Sequence, residues 1–345
     1  MACYYPLSGW KSQSGGFTLK RENAFIDLPM SVPCGGCVGC RLRRAGEWAI
    51  RGTHEASLYD ANVFITLTYD DKRLPPREYY ELPANVGLHY PDFQSFMGRL
   101  RDRFSYIGFD GVNPIRFIVA GEYGDQLGRP HFHAILFNFR FPDQKFWYRS
   151  KQGHVVTRSA ILEELWPWGH SDIGTVTPSS IAYVSRYVMK KVTGRDKIDH
   201  YKHVDSDGVI FTHPDTGKII YREPEFARYS LKPGIGADWF SRFHSSVYPH
   251  DYVIFNGNKV RPPRYYDKLY KQMTGVSIAR EVTLNARPDT VIDFDIEVFS
   301  QHFEDLKALR VESAKKYLDD NTPSRLAVRE QVALAKVSRL PRKLT

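Results

Sequence analysis

Runs of alternating or continuous apolar residues dominate the chain between residues 62 and 139. "NVFITLTYDD" (62–71), "PIRFIVAGEYG" (114–124) and "HFHAILFNF" (131–139) are short and rich in β-branched and aromatic residues. Each predicts a strand. "GDQLGR" between the last two has hairpin length, so those strands are expected to pair antiparallel. "SDIGTVT" (171–177) predicts a further strand. Helical periodicity marks 41–59, 158–166, 179–192 and "PDFQSFMGRLRDRF" (91–104), where Phe93, Phe96, Leu100 and Phe104 form one apolar stripe. Residues 74–87 read as a loop and 195–225 as an excursion rich in charge, Gly and Pro. Much of the chain after 290 reads as helical, with a basic final segment. Strands and helices mix without regular βαβ alternation, and the fold class expected is α+β around an antiparallel sheet.

Two histidines interrupt the third strand. Side chains alternate across a strand, so His131 and His133 share one face while Phe132, Ala134 and Leu136 share the other and suit a core. Adjacent imidazoles pack poorly in a core. They read either as two prongs of a metal site or as solvated surface histidines. Glu122 lies across the expected hairpin and would complete a His/His/carboxylate set suited to Mg²⁺ or Mn²⁺. On the helix over 179–192, Ile181, Val184, Val188 and Val192 fall within about 80° of one another and form the expected core stripe. Tyr183, Tyr187 and Lys190 gather within about 60° on a face away from it. A phenol is a weak nucleophile near neutral pH, but becomes useful against a phosphodiester when a metal and a nearby cation favour phenolate.

Cys3, Cys34, Cys37 and Cys40 are the four cysteines, the last three in "CGGCVGC". Cys-x-x-Cys-x-x-Cys with one distant cysteine fits a four-thiolate structural zinc site, and part of it also fits an iron–sulfur ligand run. The 48 Lys and Arg against 39 Asp and Glu give a net charge of +9, a moderate pull toward nucleic acid. The aromatic content of 14% suits stacking on bases as well as a core. No apolar run reaches the ~20 residues of a membrane span, and the first residues lack a signal-peptide pattern, so a soluble, unexported chain without a membrane partner is expected.

Three segments in order resemble the motifs of HUH-type rolling-circle replication initiators. They are "FITLTY" (64–69), "HFH" (131–133) and "YVSRYVMK" (183–190), the last similar to a paired Tyr-x-x-x-Tyr-x-x-Lys form. "VPCGGCVGC", "GEYGDQLGRPHFHAILF", "EFARYSLKPGIGADWF" and "VRPPRYYDKLY" resemble the gokushovirus branch of the Microviridae. The resemblance covers most of residues 1–270. It implies an HUH endonuclease domain with a central antiparallel sheet flanked by helices. It implies cleavage of one strand of origin DNA in the cytoplasm of a bacterial host, leaving a 5′-phosphotyrosine link and a 3′ hydroxyl. Its ligands map onto His131, His133 and Glu122, its nucleophiles onto Tyr183 and Tyr187, and its helper onto Lys190. No Gly-x-x-x-x-Gly-Lys-[Ser/Thr] loop occurs, so a host helicase as well as a host DNA polymerase is expected as partner. The organisation expected is a Cys-rich metal-binding segment (1–40), the nickase domain (41–195), an accessory segment (196–275) and a helical basic region (276–345). Rival readings are a transposase or relaxase of the same fold, a non-catalytic zinc-containing nucleic-acid-binding protein, and a metal-dependent hydrolase that uses water.

Overall fold

The computed structural model describes residues 3–73, 85–124, 128–150, 153–187, 197–204, 210–213, 215–248, 250–273, 294–316 and 321–339. Contacts divide the chain into one unit formed by Met1–Glu47 with Phe243–Pro341 and a second centred on Trp48–Arg242.

The first unit opens with strands β1 (Leu7–Ser12), β2 (Phe17–Thr18) and β3 (Ala24–Val32), which form an antiparallel sheet in the order β2-β1-β3. Periodicity did not predict these strands. Seven of the nine residues of β3 are exposed, so it carries no inward apolar alternation. Helix α1 (Val38–Ala56) begins in this unit and continues into the second.

The second unit continues with β4 (Asn62–Tyr69), β5 (Asn85–Val86), α2 (Tyr90–Phe104), β6 (Arg116–Tyr123), β7 (Pro130–Phe137), β8 (Lys145–Arg149) and β9 (Val155–Arg158). Then come α3 (Ala160–Leu165), β10 (Gly169–Gly174), α4 (Pro178–Arg186), α5 (Lys197–His200), β11 (Tyr221–Arg222) and β12 (Phe226–Tyr229). Helix α6 (Ala237–Val247) leads back to the first unit. There β13 (Val253–Phe255), β14 (Asn258–Val260), α7 (264–273), α8 (Phe294–Lys315) and α9 (Pro323–Ser338) follow. Arg310 on α8 ties that region together, with Nε 2.7 Å from an Asp251 oxygen and Nη1 3.0 Å from Asp267. Among the described residues no helix is long and apolar enough to cross a membrane.

The expected α+β class is what forms. A seven-stranded antiparallel sheet runs in the order β12-β6-β7-β4-β10-β9-β8. One face carries Ile65, Leu67, Phe132, Ala134 and Leu136 against Phe93, Phe96 and Leu100 of α2 and Leu162 of α3. The other carries Phe64, Ile118, Ala120 and Ile135 against Ile181 and Val184 of α4. Thr177 caps α4 by accepting from the Ser180 N–H, and Pro178 supplies the fixed φ of a first turn. Gly52 of α1 lets this layer close up: a Cβ there would lie 2.6 Å from Ile181 Cγ2 and 3.0 Å from Ile118 Cδ1.

Two expectations about α4 need correction. The described helix ends at Arg186, and residues 188–196, with Val188, Lys190 and Val192, lie outside the described residues. Tyr183 and Tyr187 are not turned away from the core. They are 6% and 3% exposed and belong to the same cluster as Ile181 and Val184.

A buried ion pair fastens the segment before α6 to this face. Arg116 Nε lies 3.0 Å from Glu55 Oε1, and Glu55 Oε2 accepts from Gly236 N–H at 2.7 Å. Arg116 also donates to the Pro233 carbonyl at 2.6 Å. Burial pushes the Glu55 carboxyl up, against the pull of the Arg116 guanidinium. Arg116→Ala should therefore destabilise the protein by about 3–5 kcal/mol, because a buried carboxylate is left without its main counter-charge. Urea unfolding of this variant should show that loss, and Glu55→Gln in the same chain should recover part of it.

Candidate active site

Register assembles the candidate donors. In the β6–β7 pairing Glu122 stands opposite His131 and Ala120 opposite His133. In the β4–β7 pairing Thr68 stands opposite His131 and Thr66 opposite His133. All six residues share the face covered by α4. His131 Nε2 is 2.6 Å and His133 Nε2 3.2 Å from Glu122 Oε1. The three donor atoms lie within 4.8 Å of one another.

The imidazoles are oriented from behind. His131 Nδ1 is 3.0 Å from the Arg129 carbonyl, which can only accept, so Nδ1 carries a proton and Nε2 is the inward nitrogen. His133 Nδ1 is 3.1 Å from Thr66 Oγ1. Outer partners of this kind hold ring orientation and tautomer at metal centres. Burial opposes the Glu122 charge, but hydrogen bonds from His131 and His133 outweigh it and keep the carboxyl well below its usual range.

This donor set fits a divalent cation. Adjacent ligands at 2.0–2.1 Å around an octahedral ion stand roughly 3 Å apart, and the two nitrogen–oxygen separations bracket that value. Two neutral nitrogens and one carboxylate leave open positions, unlike a closed cysteine set.

Both tyrosines pack on the same ring. Tyr183 meets His133 edge-on with centroids 5.3 Å apart, and Tyr187 stacks on it at 5.4 Å and 11°. The two phenol rings are 4.8 Å apart. Burial, then the Glu122 carboxylate and Tyr183, drive the Tyr187 phenol far above its usual range. Arg186 is half-buried beside them and interacts electrostatically with both phenols, and burial lowers its own pKa. Sequence reasoning missed Thr66, Arg129 and Arg186. Thr66 was visible inside the quoted "FITLTY" motif, but one hydroxyl among β-branched residues carries no pattern of its own.

The four cysteines meet in the first unit, apart in sequence from these donors. Their sulfurs lie within 4.8 Å of one another, and those of Cys3 and Cys37 are 3.9 Å apart, far beyond a disulfide bond. Tetrahedral ligands at 2.3 Å from zinc would stand about 3.8 Å apart. Backbone N–H groups point at the sulfurs: Cys34 to Cys3 at 3.2 Å, Cys37 to Cys34 at 3.4 Å and Tyr4 to Cys37 at 3.4 Å. Burial opposes ionisation throughout. It drives Cys3 up to about 12, whereas N–H groups of Tyr4 and Cys40 bring Cys37 down to about 7. Two candidate metal-coordinating clusters are thus present.

A central antiparallel sheet flanked by helices, with a His-x-His strand beside a carboxylate, matches the general architecture of HUH endonucleases. The family of the replication-associated protein ORF2 matches residues 62–192, which span β4, β6, β7, β10 and α4. Replication-associated protein VP4 of Bdellovibrio phage phiMH2K is 29% identical over 323 residues, covering 93% of this chain and 88% of that protein. Replication-associated protein ORF2 of Spiroplasma virus 4 is 30% identical over 286 residues, 78% of this chain and 80% of the relative. Replication-associated protein ORF4 of Chlamydia phage 1 is 28% identical over 261 residues, 74% of this chain and 58% of the relative. No solved structure matches. The chain belongs to the family of phage replication-associated proteins.

Thr66→Val keeps the shape of the side chain and removes the contact to His133 Nδ1. Calorimetric titration with Mn²⁺ should show affinity falling by roughly 10- to 100-fold, with the thermal unfolding midpoint little changed.

Proposed function

We propose that the protein is an HUH-type initiator of rolling-circle replication, of the kind found in the Microviridae, which nicks one strand of origin DNA and rejoins its ends. The observation that carries this reading is the seating of two phenols on the ring of His133, within the His131, His133 and Glu122 cluster. The relatives' names, all replication-associated proteins of phages, support a role on DNA.

In this reading His131, His133 and Glu122 hold one Mg²⁺ or Mn²⁺. When bound, that cation withdraws charge from a phosphate and offsets the carboxylate field that disfavours phenolate at Tyr187. One tyrosine gives up its proton and its oxygen attacks phosphorus. The Tyr O–P bond forms as the bond to the 3′ oxygen breaks, and the departing oxygen takes up a proton. The 5′ phosphate stays on the protein, and the 3′ hydroxyl is left for a host polymerase. The second tyrosine repeats the step at the regenerated origin. The new 3′ hydroxyl then attacks the first phosphotyrosine and closes the circle. Each transfer exchanges one phosphate ester for another, so no ATP is consumed. Arg186 supplies positive charge beside both phenols, and the role of helper assigned to Lys190 falls outside the described residues. Unwinding is left to a host helicase.

Labelled single-stranded origin DNA incubated with the protein and Mn²⁺ should leave label on the protein through denaturing electrophoresis. His131→Ala should abolish that adduct while much DNA binding remains, since Lys and Arg contacts to phosphate supply most affinity. Tyr183→Phe and Tyr187→Phe should each retain some first cleavage but yield no closed unit circles, and the double variant should form no adduct. Cleavage without any adduct would instead indicate hydrolysis by water.

The cysteine cluster is proposed as a structural zinc site with no part in the chemistry. Elemental analysis of protein purified without added metal should find close to one zinc per chain, and Cys37→Ser should lose it along with thermal stability. Iron with visible absorbance would identify a cluster instead.

A further inference from the structure

We propose that the outer strand β8 is a stacking platform for unpaired bases of the DNA strand that reaches the tyrosines. It rests on the nicking reading for the identity of that strand, not for the binding itself. β8 is an edge strand of the seven-stranded sheet and reads Lys145, Phe146, Trp147, Tyr148, Arg149. Phe146 is 65% and Trp147 50% exposed. Large aromatic side chains side by side in water on a sheet edge are an association hazard unless something uses them. The stretch 144–158 also holds Lys145, Arg149, Lys151 and Arg158 and no carboxylate. Aromatic faces among cations match a polyanion with flat apolar units.

A bulge decides where Trp147 points. Phe146 stands opposite Thr157 and Tyr148 opposite Val156, so Trp147 is the extra residue between them. The Arg158 guanidinium lies 4.7 Å over its ring. Arg158 also interacts with Asp172, which stands opposite Thr66, itself opposite His133. Trp147 therefore belongs to the sheet face that carries the His131, His133 and Glu122 donors. β4, β10 and β9 intervene between β7 and β8, so the two places are separated by four strand spacings, about 19 Å.

The charges around the platform divide into two kinds. Glu163 holds Arg158 at 2.7 Å, which fits it to support the Trp147 ring. Lys145 and Arg149 are exposed at the two ends of the strand and are placed for phosphates. Duplex DNA hides its base faces, so the surface selects unpaired nucleotides over paired ones.

The test uses the full chain in EDTA, where no cleavage occurs, and anisotropy of a labelled twelve-nucleotide single strand. Trp147→Ala should weaken binding roughly 5- to 100-fold, and Trp147→Phe should keep most of the affinity. On an abasic strand of equal length and charge, Trp147→Ala should bind like the unaltered protein. Lys145→Gln should weaken both strands alike and lower the salt dependence by about one phosphate. Phe146→Ala gives a second test should Trp147→Ala unfold at a lower temperature. Unchanged affinity of Trp147→Ala for the base-bearing strand overturns the proposal. So does an equal loss on the abasic strand, which makes Trp147 a structural support. Loss of a dimer in sedimentation, with DNA affinity unchanged, assigns the edge to a second copy and also overturns it. The nicking reading fails separately, through absence of a covalent adduct when Mn²⁺ and both tyrosines are present.

Discussion

The hydrogen-bonded register of β7 against its two neighbours is the constraint on which the site depends. β7 is paired antiparallel on both sides, with Glu122 opposite His131 on β6 and Thr66 opposite His133 on β4. Side-chain direction has period two, so a slip of one residue would send both imidazoles into the layer occupied by Phe132, Ala134 and Leu136. That layer is filled by Phe93, Phe96 and Trp166 and has no room for polar rings without partners. The apolar packing on one face of β7 thereby enforces the polar arrangement on the other.

The face that carries the donors is also a core face. Phe64 stacks on His133 from one side at 5.6 Å, and the two phenols reach the same ring from α4. A polar cluster enclosed in this way has a low effective dielectric, which strengthens each interaction and raises the cost of any charge left unmatched. Glu122 meets that cost through two imidazoles, whereas Tyr187 stays neutral under the field of the same carboxylate.

Much of this was legible in the chain because it rests on short-range periodicities. Alternation placed His131 and His133 together, hairpin length brought Glu122 across from them, and helical spacing kept Tyr183 beside Tyr187. The direction of the tyrosines was misread. The helical wheel separates apolar from polar faces, but here the layer beneath α4 contains the imidazoles, so the face toward the site and the face toward the core coincide. The strands β1 to β3 and β8 escaped notice because they expose most of their side chains and so lack an inward stripe. Thr66 and Arg129 act through one atom each, on partners distant in sequence or on the backbone, and no local pattern announces such contacts.

Gly52 shows how far the placement of the phenols depends on residues that never approach them. The missing methyl group there is filled by Ile181 and Ile118, one from the helix of the tyrosines and one from the strand of Glu122. Protein interiors transmit displacement because they hardly compress. A single added carbon at this position would act as a wedge between two layers, tilting α4 away from the sheet two residues before Tyr183. Tolerance to substitution along α1 is thus governed by mechanical fit at a distance, and this glycine is as much a part of the alignment of the site as the groups that line it.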